Sequence, residues 1–319
     1  MQDPIYNRIQ SQPRPTLTAA SGFICLAVAG LWVSTLAEVA LNVSGMALLN
    51  AIYYLPFVGL PLFLYARRRP GLSESLRLNP LPGLSVLSLA LLGLLSVYAA
   101  SALTAAWGVG LDALGLRAPG ATPMPRTERE LALSILTMAA FPAVCEELLF
   151  RGFVLSAWES RGTGFAIAVT AVLFALLHGN LYGLPAYLLV GAVAGFVTFA
   201  LDSIYAGIAY HTLYNAACLI LPYLLSSRDD TVAEMAVTGQ LLFSIVLDTA
   251  VVLALMAALL ATMRLWARNA GIEPIPRIRR PLSDGERLSL LAAVLAMLAT
   301  MAVVLVLSAR AAAGYGGAL

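Results

Sequence analysis

Three ionisable side chains fall inside long apolar runs: Glu146, His178 and His211. The two histidines are the only ones in the chain. A charged side chain near the centre of a membrane helix costs at least ~2.5–3.5 kcal/mol on insertion scales. A chain keeps several of them there chiefly when they meet one another or line a wet cavity. A carboxylate and two imidazoles sharing such a cavity are the equipment for activating water.

The neighbours of each group narrow the chemistry. Glu146 is followed by Glu147, and Arg151 stands four residues beyond Glu147. That spacing puts Glu147 and Arg151 on one helix face, where they can pair. Glu146 is rotated by about 100° from its neighbour and points at different helices. One carboxylate is thus neutralised by arginine, and the other is left for another partner. Phe174 lies one turn before His178 and walls one side of its imidazole; His211 and Asn215 share a face. The plain alternatives are an ion-pair cluster that anchors the bundle and histidines that merely satisfy packing. Two buried histidines together with an unpaired glutamate favour a site.

The elements that must position these residues are membrane spans. The chain has 319 residues, 60% hydrophobic and 11% charged, with a mean hydropathy of +0.86. Soluble domains carry about 25% charged residues. The reading is an all-α, polytopic transmembrane bundle of eight to nine spans, and a soluble enzyme is excluded. Nine candidate spans run over 17–39, 46–65, 84–110, 130–158, 162–178, 184–201, 203–225, 237–266 and 288–309. The fifth is short for a span of ~20 residues and could stop within the bilayer. All the basic residues are arginine. With the N-terminus inside, 13 arginines fall on inner segments: positions 8, 14, 67, 68, 69, 77, 161, 264, 268, 277, 279, 280 and 287. Five fall outside: positions 117, 126, 129, 228 and 310. The positive-inside rule therefore orients the chain N-in, C-out. At ~1.5 Å per residue, Glu146 lies about 18 Å above Trp158, His178 about 24 Å above Gly162 and His211 about 12 Å above Ser203. All three levels fall within a hydrocarbon core ~30 Å thick.

Taken in order on separate helices, EExxxR (Glu146, Glu147, Arg151), FxxxH (Phe174, His178) and HxxxN (His211, Asn215) resemble the motifs of the CPBP family. That family comprises the type II CAAX prenyl endopeptidases and their bacterial relatives. The resemblance covers roughly residues 130–225 and implies proteolysis at the membrane, in a cavity opening to the cytoplasmic side. Residue chemistry and the resemblance together assign Glu146 as general base, with His178 helping to orient and deprotonate the attacking water. His211 and Asn215 would donate to the oxyanion, each such donor being worth about 3–4 kcal/mol of barrier. Glu147, Arg151 and Phe174 support them. No cofactor is required in this reading. The alternative is zinc held by Glu146, His178 and His211, with a fourth position for water; the HExxH arrangement of zinc peptidases is absent from the chain.

The expected organisation is a cytoplasmic segment (1–16), N-terminal spans with an outer loop (17–127), a CPBP-like catalytic core (128–225) and C-terminal spans (226–319). The basic loop 267–286 sets the last span apart as an appendage. Thr127 with Glu130, and Thr231 with Glu234, read as capping boxes. Gly191 and Gly195 form a GxxxG for tight helix packing. Pro142 would kink its helix one turn before Glu146. Asp248 would bond a neighbouring helix or lie near the interface. The expected partners are membrane lipids and a peptide or protein substrate at the membrane, a prenylated C-terminus among the candidates. The net charge of +2 gives no reason to expect nucleic acid. The expected location is a bacterial plasma membrane. Readings from other classes are a catalytically silent scaffold or bacteriocin-immunity protein on the same fold, and a proton-coupled transporter. The last calls for inverted repeats, and none is visible in the sequence.

Overall fold

The computed structural model describes residues 15–41, 54, 59, 76–81, 83, 85–116, 124–226, 239–277 and 281–315. Every regular element of more than one residue among them is a helix: α1 (Leu17–Leu41), α2 (Ser85–Ala113), α3 (Glu128–Glu159), α4 (Thr163–Leu177), α5 (Leu184–Ala200), α6 (Ile204–Ser226), α7 (Gly239–Asn269) and α8 (Asp284–Tyr315). Six of these, α1, α2, α3, α6, α7 and α8, are long and apolar enough to cross a bilayer, whereas α4 and α5 are shorter apolar helices. The protein is an all-α integral membrane protein. Apart from Tyr54 and Gly59, the expected span 46–65 lies outside the described residues, as do the expected second capping box and the arginine run 67–69.

α3 is the axis of the bundle. Thr127 caps it, accepting from the Glu130 N–H at 3.2 Å. The reciprocal bond is offset by one residue, because Glu130 Oε2 accepts from the Arg126 N–H at 2.8 Å. Two stretches, Ile135–Ala140 and Leu148–Leu155, wind as π-helix on either side of an α segment, Phe141–Glu147. Pro142 sits at the start of that segment. Its missing N–H falls where the ladder has already slipped, since the Phe141 N–H reaches back to the Leu136 carbonyl. The proline is thus accommodated by π winding within one continuous helix, as occurs at functional sites. Below Glu147 the helix is solid core: Leu149, Phe150, Phe153, Val154 and Leu155 are each at most 1% exposed.

α4 and α5 pack backbone to backbone through the GxxxG. A Cβ on Gly191 would lie 3.0 Å from Ala171 Cα, and one on Gly195 would lie 3.3 Å from Ile167 Cγ2. α6 lies against α2, where the Tyr210 hydroxyl donates to Ser96 Oγ at 2.8 Å.

One end of the bundle is laced shut. The Arg77 guanidinium pairs with Glu159 at 2.7 Å and Asp202 at 2.9 Å. Burial works against that charge, but the two carboxylates outweigh it and hold Arg77 above its ordinary value. The Ile204 N–H donates to the Arg77 carbonyl at 3.0 Å. The loop after α7 is bonded to the same end. The Thr163 N–H donates to the Ile275 carbonyl, and the Ile275 N–H donates to Thr163 Oγ1, both at 3.0 Å. Gly162 has φ +113°, and a Cβ there would meet Arg277 Cα at 2.7 Å. Arg161 pairs with Glu286 at 3.2 Å. α8 is therefore no appendage. It packs on α1, where Trp32 Nε1–H donates to Thr300 Oγ1 at 3.1 Å. Thr300 also lies against Gly179, the residue after His178. Asp248 is exposed on α7.

Candidate functional site

The three ionisable groups converge. His178 Nε2 lies 3.8 Å, and His211 Nε2 4.0 Å, from Glu146 Oε2. They reach one point because α4 ends at Leu177, presenting His178 at its C-cap, while His211 stands well inside α6.

The second carboxylate is fully buried and does a different job. Glu147 Oε1 accepts from Arg151 Nη1 and from His211 Nδ1, both at 2.9 Å. Arg151 is 1% exposed, and its Nη2 donates to the Gly191 carbonyl at 2.7 Å. Breaking such a buried pair costs ~3–5 kcal/mol, because it strands a charge. The pair thus ties α3, α5 and α6 together at the level of the site and fixes the His211 ring.

Hydrogen-bond partners set the proton positions. His178 Nδ1 lies 2.8 Å from the Phe174 carbonyl oxygen, which can only accept, so Nδ1 carries the hydrogen. His211 Nδ1 faces a carboxylate and carries one for the same reason. In the neutral rings both Nε2 atoms therefore present lone pairs toward Glu146. Oε1 of Glu146 accepts from the Tyr54 hydroxyl at 2.8 Å. Oε2 is buried and has no hydrogen-bond partner among the described residues. It is the one oxygen aimed at the imidazoles.

Aromatic rings hold the histidines. Phe174 packs on His178 (centroids 4.6 Å apart) and edge-on to His211 (5.6 Å). Tyr187 stacks on the other side of His178, 3.9 Å away and within 21° of parallel. Asn180 Oδ1 accepts from the Tyr182 and Gly183 N–H groups just ahead of α5.

These groups line a cavity of about 500 Å³. Glu146, Phe174, His178, His211 and Asn215 all border it, together with Tyr54, Met124, Thr137, Met138, Pro142, Tyr187, Val190, Tyr214, Cys218 and Leu219. Glu147 and Arg151 stand behind the wall. On every helix the lining residues lie on the side of Glu146 and His211 away from the laced end. The lining runs out to Met124, 42% exposed, just before α3 begins.

The zinc alternative uses the same three groups. Ligands on a tetrahedral zinc with bonds of ~2.0–2.1 Å lie about 3.3–3.4 Å apart, against the 3.8 and 4.0 Å found here. Among the described residues no group of three His, Cys, Asp or Glu side chains is arranged to hold a metal ion.

Three contributors escaped the motif reading. Tyr54 and Tyr187 are tyrosines in apolar runs, with no spacing rule tying them to the acid or the histidines. Gly207 did leave a signal, one turn before His211. A Cβ there would lie 2.5 Å from Thr198 Oγ1 and 2.8 Å from Glu147 Oε2, so only glycine lets α6 approach the carboxylate that holds His211.

Residues 128–217 match the family described as type II CAAX prenyl endopeptidase Rce1-like. The matched segment contains all seven motif residues, and over that segment the chain resembles the type II CAAX prenyl endopeptidases. No curated protein and no solved structure matches the chain.

Proposed function

We propose that the protein is an intramembrane endopeptidase that hydrolyses a peptide bond of a membrane-associated substrate with water activated by Glu146. The observation that carries this reading is the buried Glu146 Oε2, without a hydrogen-bond partner among the described residues and faced by two imidazole Nε2 atoms at 3.8 and 4.0 Å on the floor of a cavity. A water held there gives one hydrogen to Oε2 and the other to His178 Nε2. On attack, Glu146 takes the proton while the water oxygen bonds to the scissile carbonyl carbon. The oxyanion that forms is met by Asn215 and by His211.

His211 can donate from Nε2 only when both ring nitrogens are protonated, because Nδ1–H is committed to Glu147. Charge balance supports that state. With both carboxylates ionised and Arg151 charged, one further proton makes the buried site neutral, and neutrality is what a low-dielectric site favours. Collapse of the tetrahedral intermediate breaks the C–N bond, and protonated Glu146 returns its proton to the leaving amine. Glu147 and Arg151 position His211, and Phe174 positions both imidazoles. No step requires a metal.

The test is cleavage of a peptide library by the purified full-length chain in liposomes, comparing wild type with Glu146→Gln. A general base contributes about 10²–10⁴-fold, so the variant should lose at least a hundredfold while keeping its melting temperature. Cleavage by Glu146→Gln at the wild-type rate would rule the mechanism out. Activity that survives chelation, in protein lacking stoichiometric metal, is expected of the metal-free route; loss on chelation and return with zinc would replace it.

A further inference from the structure

We infer that Gly183 and Tyr187, one turn apart at the entry to α5, form a positioning device for His178: the glycine leaves the slot in which the tyrosine ring lies, and the ring fixes the plane of the imidazole. Neither residue belongs to the three motifs. The inference rests on the peptidase reading for its effect on rate, and on geometry alone for its effect on the ring.

The two imidazoles are held by unequal means. His211 Nδ1–H is bound at 2.9 Å to the Glu147 carboxylate, which is itself paired with Arg151. Hydrogen bonds to charged groups are the stronger kind. His178 has a neutral partner, the Phe174 carbonyl one turn back at 2.8 Å, and it stands at the C-cap of α4, where the helix has ended. Its side chain is 23% exposed, against 4% for His211. The imidazole assigned to the attacking water is therefore the one with less to hold it.

The backbone beneath His178 is well tied. Trp107 Nε1–H, on α2, donates to the Leu181 carbonyl at 2.9 Å, and the Tyr182 hydroxyl donates to Asp112 Oδ1 of the same helix at 2.8 Å. Gly179, with φ +62°, lies against Thr300 of α8. Asn180 Oδ1, accepting from the Tyr182 and Gly183 N–H groups, closes the turn. What these contacts leave open is the swing of the imidazole about its own side-chain torsions.

Tyr187 removes that freedom. Side chains on a helix tilt toward its N-terminus, so the Tyr187 ring lies back over Gly183. A Cβ on Gly183 would strike Cε2 of that ring and lie 2.7 Å from its Cζ and 2.9 Å from its hydroxyl oxygen. Gly183 has an ordinary φ of −78°, so space, and not backbone conformation, calls for glycine here. From this slot the ring stacks on His178, 3.9 Å away and within 21° of parallel, while Phe174 packs on the same imidazole at 4.6 Å. With Nδ1 turned to the Phe174 carbonyl, the plane so fixed aims Nε2 into the space beside Glu146 Oε2. An aromatic pair is worth about two- to tenfold in an equilibrium constant beyond its contact area, so loss of the ring should cost up to about tenfold in kcat.

The test reads the ring apart from the rate. The chain has two histidines, so the full-length protein carrying ring-labelled histidine gives two sets of imidazole NMR signals, and His178→Gln identifies the set that belongs to residue 178. The face of a stacked aromatic ring shields the protons over it. The expected result is an upfield His178 signal in wild type and in Tyr187→Phe, moved downfield in Tyr187→Leu and in Gly183→Ala. In peptide cleavage, Tyr187→Leu and Gly183→Ala should each lose up to about tenfold in kcat with KM unchanged, the double variant should lose no more than either alone, and Tyr187→Phe should keep the wild-type kcat. His178 signals alike in wild type and Tyr187→Leu would overturn the inference. So would a rise in KM with kcat unchanged, which would make Tyr187 a substrate contact. If Glu146→Gln cleaves at the wild-type rate, the peptidase mechanism fails, and the His178 signal still decides whether Tyr187 fixes the ring.

Discussion

Substituting Gly207 with alanine adds one methyl group about one helical turn from His211, and the structure says what that methyl meets. It would lie 2.5 Å from Thr198 Oγ1 and 2.8 Å from Glu147 Oε2, whereas ordinary contact begins at 3.4 Å. The hydroxyl must retreat by about 0.9 Å and the carboxylate oxygen by about 0.6 Å to restore ordinary contact. Thr198 can turn away, since its hydroxyl has no hydrogen-bond partner among the described residues to give up. Glu147 cannot move so freely. Its other oxygen is held by Arg151 and His211, so a pivot of the carboxylate carries the imidazole with it. Misplacement of a catalytic group by 1 Å can cost about 10²-fold; on the same logarithmic scale 0.6 Å costs roughly tenfold. Overpacking adds a stability loss of ~1–3 kcal/mol. The assay is kcat/KM for peptide cleavage beside the melting temperature in the same detergent. Gly207→Ala should lose about tenfold in kcat/KM. The double variant Gly207→Ala/Thr198→Ala, which removes the shorter contact, should recover stability and leave the activity deficit. Full activity in Gly207→Ala, or full rescue by the second substitution, would show that Glu147 does not hold His211 in the working geometry.

Tyr54→Phe deletes the hydroxyl on Glu146 Oε1 while keeping the ring against Phe141 (5.6 Å, edge-on). A hydrogen bond to a charged group is worth ~1.5–3 kcal/mol, so kcat/KM should fall by up to about 10²-fold with no change in melting temperature. Arg151→Met strands the buried Glu147 charge and should lower stability by ~3–5 kcal/mol, read from thermal unfolding in detergent. Adding Glu147→Gln should recover part of that loss without restoring activity, because His211 would still lack its carboxylate.

How much of this was legible in the sequence depended on polarity. Inside a bilayer, apolar residues face lipid and core alike, so helix periodicity carries little information about which face is buried. In α2, Leu87 is 76% exposed and Leu89 fully buried, yet nothing in the sequence distinguishes them. Helix existence followed from hydropathy alone, and the ends of α3 to α6 fell within two residues of the expected limits. The orientation of a helix was readable only where it carried a polar group with a partner. The spacing of Glu147 and Arg151 predicts their pairing, and the observed bond joins them. The π winding around Phe141–Glu147 left one trace, Pro142.

Tyr54 shows the limit most clearly. It comes from a run outside the segment that matches the family, and a tyrosine in an apolar stretch has no sequence neighbour to declare its partner. Its role follows only from the acid it meets, 92 positions away. That long separation has a physical counterpart in the site. Once Tyr54 takes Oε1, Glu146 retains a single oxygen for chemistry, and that oxygen is the one the two imidazoles face. In the proposed mechanism the motif residues supply the carboxylate and the imidazoles, and the distant tyrosine, by occupying Oε1, leaves Oε2 as the oxygen to take the proton.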